Sequence, residues 1–191
     1  MFSYNAGMPK PTPTASEAAT HAHARIALAQ PGDLPEVLRV QRAAFGRVAR
    51  QIGIPPDSMA PIAETLQQLK ALHRTGVRTL VALDGDRIVG TVRTTLREDG
   101  IAEIGRLAVD DGCERRGVAR ALMLAIEQDR PTVARFELFT GAEAVGPIAL
   151  YESLGYRVFS REQFDRWTMV WLAKERPVPT VYESAPLHWQ T

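Results

Sequence analysis

The chain has 191 residues, and at roughly 150 residues per domain that fits one core with spare length rather than two domains. Hydrophobic residues make up 45% and charged residues 24%, which excludes a wholly disordered or fibrous chain, and 23 Lys and Arg against 22 Asp and Glu leave no global field to attract nucleic acid or an anionic membrane surface. The longest apolar run, 121–126, falls far short of a membrane span, the N-terminus has no signal-peptide pattern, and the single Cys113 cannot close an intrachain disulfide, so a reducing cytoplasm is the expected location.

Residues 1–23 place Pro9, Pro11 and Pro13 among Thr, Ala and Ser and read as a disordered leader. The body runs over 24–175. In the tail, 176–191, Pro177, Pro179 and Pro186 break any period, although Val181, Tyr182, Leu187 and Trp189 can pack on the body. Within the body, 25–30 alternates as a first strand, and Asp33 is a helix N-cap before Val37, Leu38, Val40 and Phe45. A second helix starts after Asp57 or Ser58, carries Ile62, Leu66, Leu69 and Leu72 on one stripe, and ends before Gly76. Residues 79–83 and 87–98 flank Asp84-Gly85-Asp86 and read as a hairpin, followed by a strand over 101–109. After a polar turn, 118–129 sets Val118, Leu122, Ala125 and Ile126 on one helical face, and 135–140 is again a strand. Gly146-Pro147 opens a short helix that Gly155 closes, and 156–160 and 166–172 supply the last strands. The order βααβββαβαββ implies a parallel crossover inside a mixed sheet with helices on both faces, a single-domain α/β fold. Trp167, Met169 and Trp171 alternate and read as one packed face.

The chemistry concentrates in 101–127. Arg115, Arg116, Gly117, Val118, Ala119 and Arg120 bring cationic side chains, small residues and backbone N–H groups to a helix N-terminus, an arrangement suited to a diphosphate. A helix start with solvated arginines has the same composition. The window has no G-x-G-x-x-G and no Gly-Lys-Ser/Thr, so it is neither a dinucleotide fingerprint nor a P-loop. It resembles the acetyl-CoA motif Q/R-x-x-G-x-G/A of the GNAT superfamily of N-acetyltransferases, which follows a strand ending in a hydrophobic-Ala-Val step, here Leu107-Ala108-Val109. Residues 148–156, IALYESLGY, resemble the family's next signature, and the order of elements extends the resemblance over 25–175. Two departures stand out: Glu114 occupies the first motif position, and Ala144 stands where many members have Asn.

The resemblance implies direct acetyl transfer from acetyl-CoA to an amine, with no metal. A largely protonated amine needs a base, and a carboxylate acting through water can serve. Glu103, six residues before Val109, matches the catalytic Glu of the histone-acetylating branch; read from the strand alone it is an exposed carboxylate. Glu137 is the second choice of base, with a structural charge as its other reading. The resemblance assigns the Leu107 backbone amide to the thioester carbonyl and Tyr151 to the departing thiolate, while spacing alone makes Tyr151 a core residue. Leu107, Ala108 and Val109 would lie along the pantetheine and 115–120 around the diphosphate. The acceptor, a small-molecule amine or a protein N-terminus or lysine, would be shaped by 45–58 and 160–165; in IGIPPDS, Asp57 is the only acidic residue, which disfavours a strongly cationic acceptor. A homodimer is compatible with this reading. His21 and His23 form H-x-H without partnered ligands, and Cys113 is a bystander thiol. The other class of function is an acyl-CoA-binding sensor or interaction module that keeps the fold without turnover, favoured by Glu114 and Ala144 and disfavoured by Glu103 and Tyr151.

Overall fold

A computed structural model describes residues 24–164 and 167–177. The leader reading, His21 and His23, Asp165, Arg166 and the apolar residues of the tail lie outside the described residues. Seven strands form one sheet in the order β1-β2-β3-β4-β5-β7-β6. Strands β1 (Arg25–Leu28), β2 (Arg78–Asp84), β3 (Arg87–Leu96) and β4 (Ala102–Val109) are antiparallel neighbours. β5 (Arg135–Gly141) lies parallel to β4, reached through helix α4 (Val118–Gln128). After α5 (Val145–Ser153), β6 (Arg157–Phe164) and β7 (Trp167–Glu175) form a hairpin, with β7 antiparallel to β5.

Strand alternation divides the core into two clusters. On one face Val118, Leu122, Met123 and Ile126 of α4 meet Leu80, Val92, Ile104, Phe136 and Leu138, and Tyr151 and Leu154 join them. On the other, Leu34, Val37, Leu38 and Val40 of α1 (Leu34–Ile52) and Leu69 meet Val81, Ile88 and Ala108. Helices therefore cover both faces, as the sequence predicts.

Five readings are corrected or sharpened. Asp33 has helical φ and its side chain does not cap α1; it accepts from the Gln30 N–H at 2.7 Å across the preceding 3-10 turn. α1 continues through Ile52, so the first part of the acceptor-shaping segment 45–58 is helix, and the αL residue Gly53 ends it. The single second helix is two: α2 (Ala60–Ala63) stops at Glu64, and α3 (Leu66–Arg74) starts anew from Thr65, whose side chain accepts from the Gln68 N–H in a capping box. Likewise β6 extends to Phe164, so 160–164 is strand and not loop. The packed face of β7 is Val170 and Leu172, both fully buried, while Trp167 is exposed and Trp171 meets Phe139 on the other face, ring centroids 5.0 Å apart and tilted by 48°.

Candidate active site

β4 is the centre of the site because it pairs with β5 at only two of its eight residues. The two strands meet at Ala102↔Phe136 and Glu103↔Glu137, and among the described residues β4 has no partner on that edge from Ile104 onward. On the β3 side the register shifts between Thr91 and Arg93, and within that shift Arg106 adopts φ 57°, a left-handed conformation uncommon for a side chain of this size. This β-bulge re-aims the lip of the split just before Leu107. No disruption of this kind can be read from AEIGRLAV, because it depends on register rather than residue type.

Alternation along β4 assigns the candidates to faces. Ala102 and Ile104 enter the α4-side core, so Glu103 points to the α1 side, where it meets the field of Arg106. Leu107 and Tyr151 both belong to the α4-side cluster. Glu103 and Tyr151 therefore lie on opposite faces of the sheet, which communicate only where β4 and β5 separate. Tyr151 is 8% exposed, and burial pushes its hydroxyl up to about 12. Glu137, also on the α1 side, is held at both oxygens: Arg97 Nη1 donates at 2.9 Å and Arg135 Nε at 2.7 Å.

The turn after β4 leads to α4. Gly117 is its N-cap at φ 80°, and a Cβ built there meets no atom within 4 Å, so the space over this glycine is open and its conformation is one that other residues strain to adopt. The first helical bond is Ala121 N–H to the Gly117 carbonyl at 2.9 Å, leaving the N–H groups of Val118, Ala119 and Arg120 without helical acceptors. Arg120 Nη1 donates to Ser153 Oγ at 3.0 Å, joining α4 to α5, and Arg116 Nη1 lies 3.8 Å from Asp84. Arg115 takes φ 56°. Glu114 pairs with Arg47 Nη2 of α1 at 3.2 Å, and the same nitrogen donates to the Val109 carbonyl at 2.8 Å. The carboxylate that breaks the motif thus pairs with α1, through an arginine whose Nη1 also lies 2.8 Å from Asp111. Ala144 is the N-cap of α5 and offers no side-chain contact.

Asp110, which sequence reasoning passed over, anchors the end of β4. It is 4% exposed; hydrogen bonds from Arg39, and after it Arg87, hold its carboxyl below the usual range against the opposing effect of burial. Two concavities of about 440 Å³ lie elsewhere, one lined by residues around Tyr156 and Arg157 and one along α3. The split itself is open and is defined by backbone. Among the described residues, no group of three or more His, Cys, Asp or Glu is placed to hold a metal ion, and no helix is long and apolar enough to cross a membrane.

A mixed sheet split between two parallel strands, with a bulge on one lip and a glycine-started helix beside it, defines the GNAT acetyltransferase fold. The family model described as acetyltransferase (GNAT) domain matches residues 75–158. Similar solved structures include a ribosomal-protein-alanine N-acetyltransferase from Brucella melitensis, 19% identical with a TM-score of 0.65, covering 80% of this chain and 99% of that one. The ribosomal-protein-S18-alanine N-acetyltransferase from Escherichia coli is 18% identical with a TM-score of 0.66, covering 83% and 98%. The PaiA N-acetyltransferase from Thermoplasma acidophilum, solved in complex with coenzyme A, is 15% identical with a TM-score of 0.67, covering 80% and 98%. No curated protein sequence matches the chain.

Proposed function

We propose that the protein is an N-acetyltransferase that moves the acetyl group of acetyl-CoA directly onto an amine. The observation that carries this reading is the split of β4 from β5 at Glu103, beside the bulge at Arg106 and the open Gly117. The diphosphate would accept from the unpaired N–H groups of 118–120 and their neighbours from 115 on, where the helix dipole favours an anion. The pantetheine would run along Leu107, Ala108 and Val109.

With the thioester in the split, the Leu107 amide donates to its carbonyl oxygen as negative charge develops there. Glu103, through water, takes the proton from the ammonium on the α1 side. The free amine then attacks the carbonyl carbon, a C–N bond forms, the C–S bond breaks, and Tyr151 donates to the leaving sulfur from the α4 side. Glu103 is preferred to Glu137 as base because two arginines already hold both oxygens of Glu137. The lone, buried Cys113 suits a reducing cytoplasm.

Calorimetric titration with acetyl-CoA tests the placement. Gly117→Val puts a β-branched side chain into the open space and at a strained φ, and should weaken binding by about tenfold or more while circular dichroism stays native. Unchanged affinity in a folded Gly117→Val protein would move the diphosphate elsewhere.

A further inference from the structure

The α1-side face of β3 and β4 holds polar groups that the transfer chemistry above does not use. Glu64, at the break between α2 and α3, receives Arg93 Nη1 at 2.7 Å and Nη2 at 3.0 Å, and Gln41 Nε2 at 2.8 Å; Gln41 and Arg93 are both buried. Burial alone would raise the Glu64 carboxyl, but the hydrogen bonds from Arg93 and Gln41 outweigh it and hold it low. Both Glu64 oxygens are thereby used. Arg106 comes no nearer than 3.9 Å to it, and Arg106 Nε is buried with no hydrogen-bond partner among the described residues. Arg93 Nε and Thr91 Oγ1, on the same face, are likewise buried and unpartnered. Arg42 occupies the rim, donating to the Ile62 and Glu64 carbonyls.

The charges acting on Arg106 are Glu64 from the α2–α3 break, Arg93 from β3 and Glu103 from β4 itself. Two cations therefore share two carboxylates, one of which, Glu64, already spends both oxygens on Arg93 and Gln41. Desolvation weighs most on Arg106 and Arg93 repels it, with Glu64 and Glu103 opposing both. A half-buried guanidinium, 26% exposed, whose Nε is buried without a partner among the described residues and whose backbone sits on a strained bulge, is an arrangement that a bound anion would complete.

We infer that Arg106, on the lip of the split, binds a carboxylate of the acceptor, so that the acceptor is an amine of the amino-acid class. The inference rests on the acetyl-transfer reading and gives it a substrate class. Glu103 and Arg106 are three residues apart on β4, about 10 Å along the strand and less across the bulge. Their long side chains span that gap, so an α-ammonium beside the Glu103 water leaves the α-carboxylate within reach of the Arg106 guanidinium, whose planar donor fork matches it. The scarcity of acidic residues in 53–58 agrees with an acceptor that is not strongly cationic.

The test is acetyl-CoA-dependent thiol release with matched acceptors: L-phenylalanine against phenethylamine, L-leucine against isoamylamine, and L-glutamate. The carboxylate-bearing member of each pair should show a kcat/KM higher by about 10²-fold or more, since a site built to hold a polar group discriminates by up to about 10⁴–10⁵-fold against an analogue that leaves it unpaired. Arg106→Asn removes the cation while keeping a residue that tolerates left-handed φ; it should abolish the preference chiefly through KM, with acetyl-CoA affinity intact, and Arg106→Lys should restore part of it. Equal or better turnover of the decarboxylated members, or a preference unchanged in Arg106→Asn, overturns the inference and leaves acetyl transfer standing. No turnover of any member by a protein that binds acetyl-CoA overturns both.

Discussion

Burial keeps the Tyr151 hydroxyl protonated up to about pH 12, so it remains a hydrogen-bond donor throughout the range in which the reaction would run. Against an ordinary thiol pKa of ~8.5, complete proton transfer to sulfur is uphill by about 3–4 units, so in the proposed reaction the hydroxyl would act by donating to the sulfur as charge builds on it. Tyr151→Phe should lower kcat by a similar factor from about pH 6 to about pH 10, leaving acetyl-CoA affinity unchanged, because the lost donor never titrates in that range. A deficit that disappears at either end of the range would remove Tyr151 from the chemistry. Glu103→Gln should behave differently. Turnover on a protonated amine should fall by about 10²-fold near neutrality and recover as pH approaches the amine's own pKa, since solvent then supplies the free base. Full activity of Glu103→Gln at pH 7 would pass the role to Glu137 or to bulk water. Both candidates are visible in the sequence because their neighbours set the motif. Arg106 is not, since its significance comes from a bulge that register creates and from a carboxylate 42 residues away.

At the scale of elements, the break between α2 and α3 decides what the site can be. Apolar residues at 62, 66, 69 and 72 continue in helical period across it, so periodicity reads one helix where Thr65 and Gln68 form a capping box and Glu64 turns into the sheet. The capping signal T-x-x-Q was present, but the apolar stripe outweighs it in any reading by period alone. A similar ambiguity affects β7: its aromatic residues alternate cleanly, yet the core is on the opposite parity, because β5 and β7 present Phe136, Leu138, Val170 and Leu172 to α4 and α5. The hairpin around Gly85 and the β4–α4 unit were legible, because turn chemistry and a glycine-started helix leave strong local signals. Glu64→Gln should cost about 3–5 kcal/mol in urea denaturation, as it leaves Arg93 buried without its paired carboxylate. A double-mutant cycle with Arg93→Met should return part of that loss; additive losses would mean that the pair does not interact.

Across the whole molecule, Glu64 and Asp110 tie α1 and the α2–α3 break to β3 and β4, and both carboxyls sit below their ordinary values of 4.5 and 3.8. Their contribution to stability is therefore complete above those ordinary values and is lost as pH falls through the lower native ones. Thermal denaturation should show the Tm of Asp110→Asn below that of the wild type at pH 7, with the gap closing as pH drops below about 4. A constant gap would show that Asp110 carries no native-state shift. These ion pairs hold the α1 side of the sheet against the lip of the split, so the site's geometry depends on them as much as on the motif. The central claim, acetyl transfer in the split between β4 and β5, is tested most directly by following thiol release from acetyl-CoA with and without an amine while mass spectrometry monitors the amine. Amine-dependent thiol release matched by one acetyl group gained per thiol is the predicted result; acetyl-CoA binding with no amine-dependent release would contradict it and make the protein an acyl-CoA sensor.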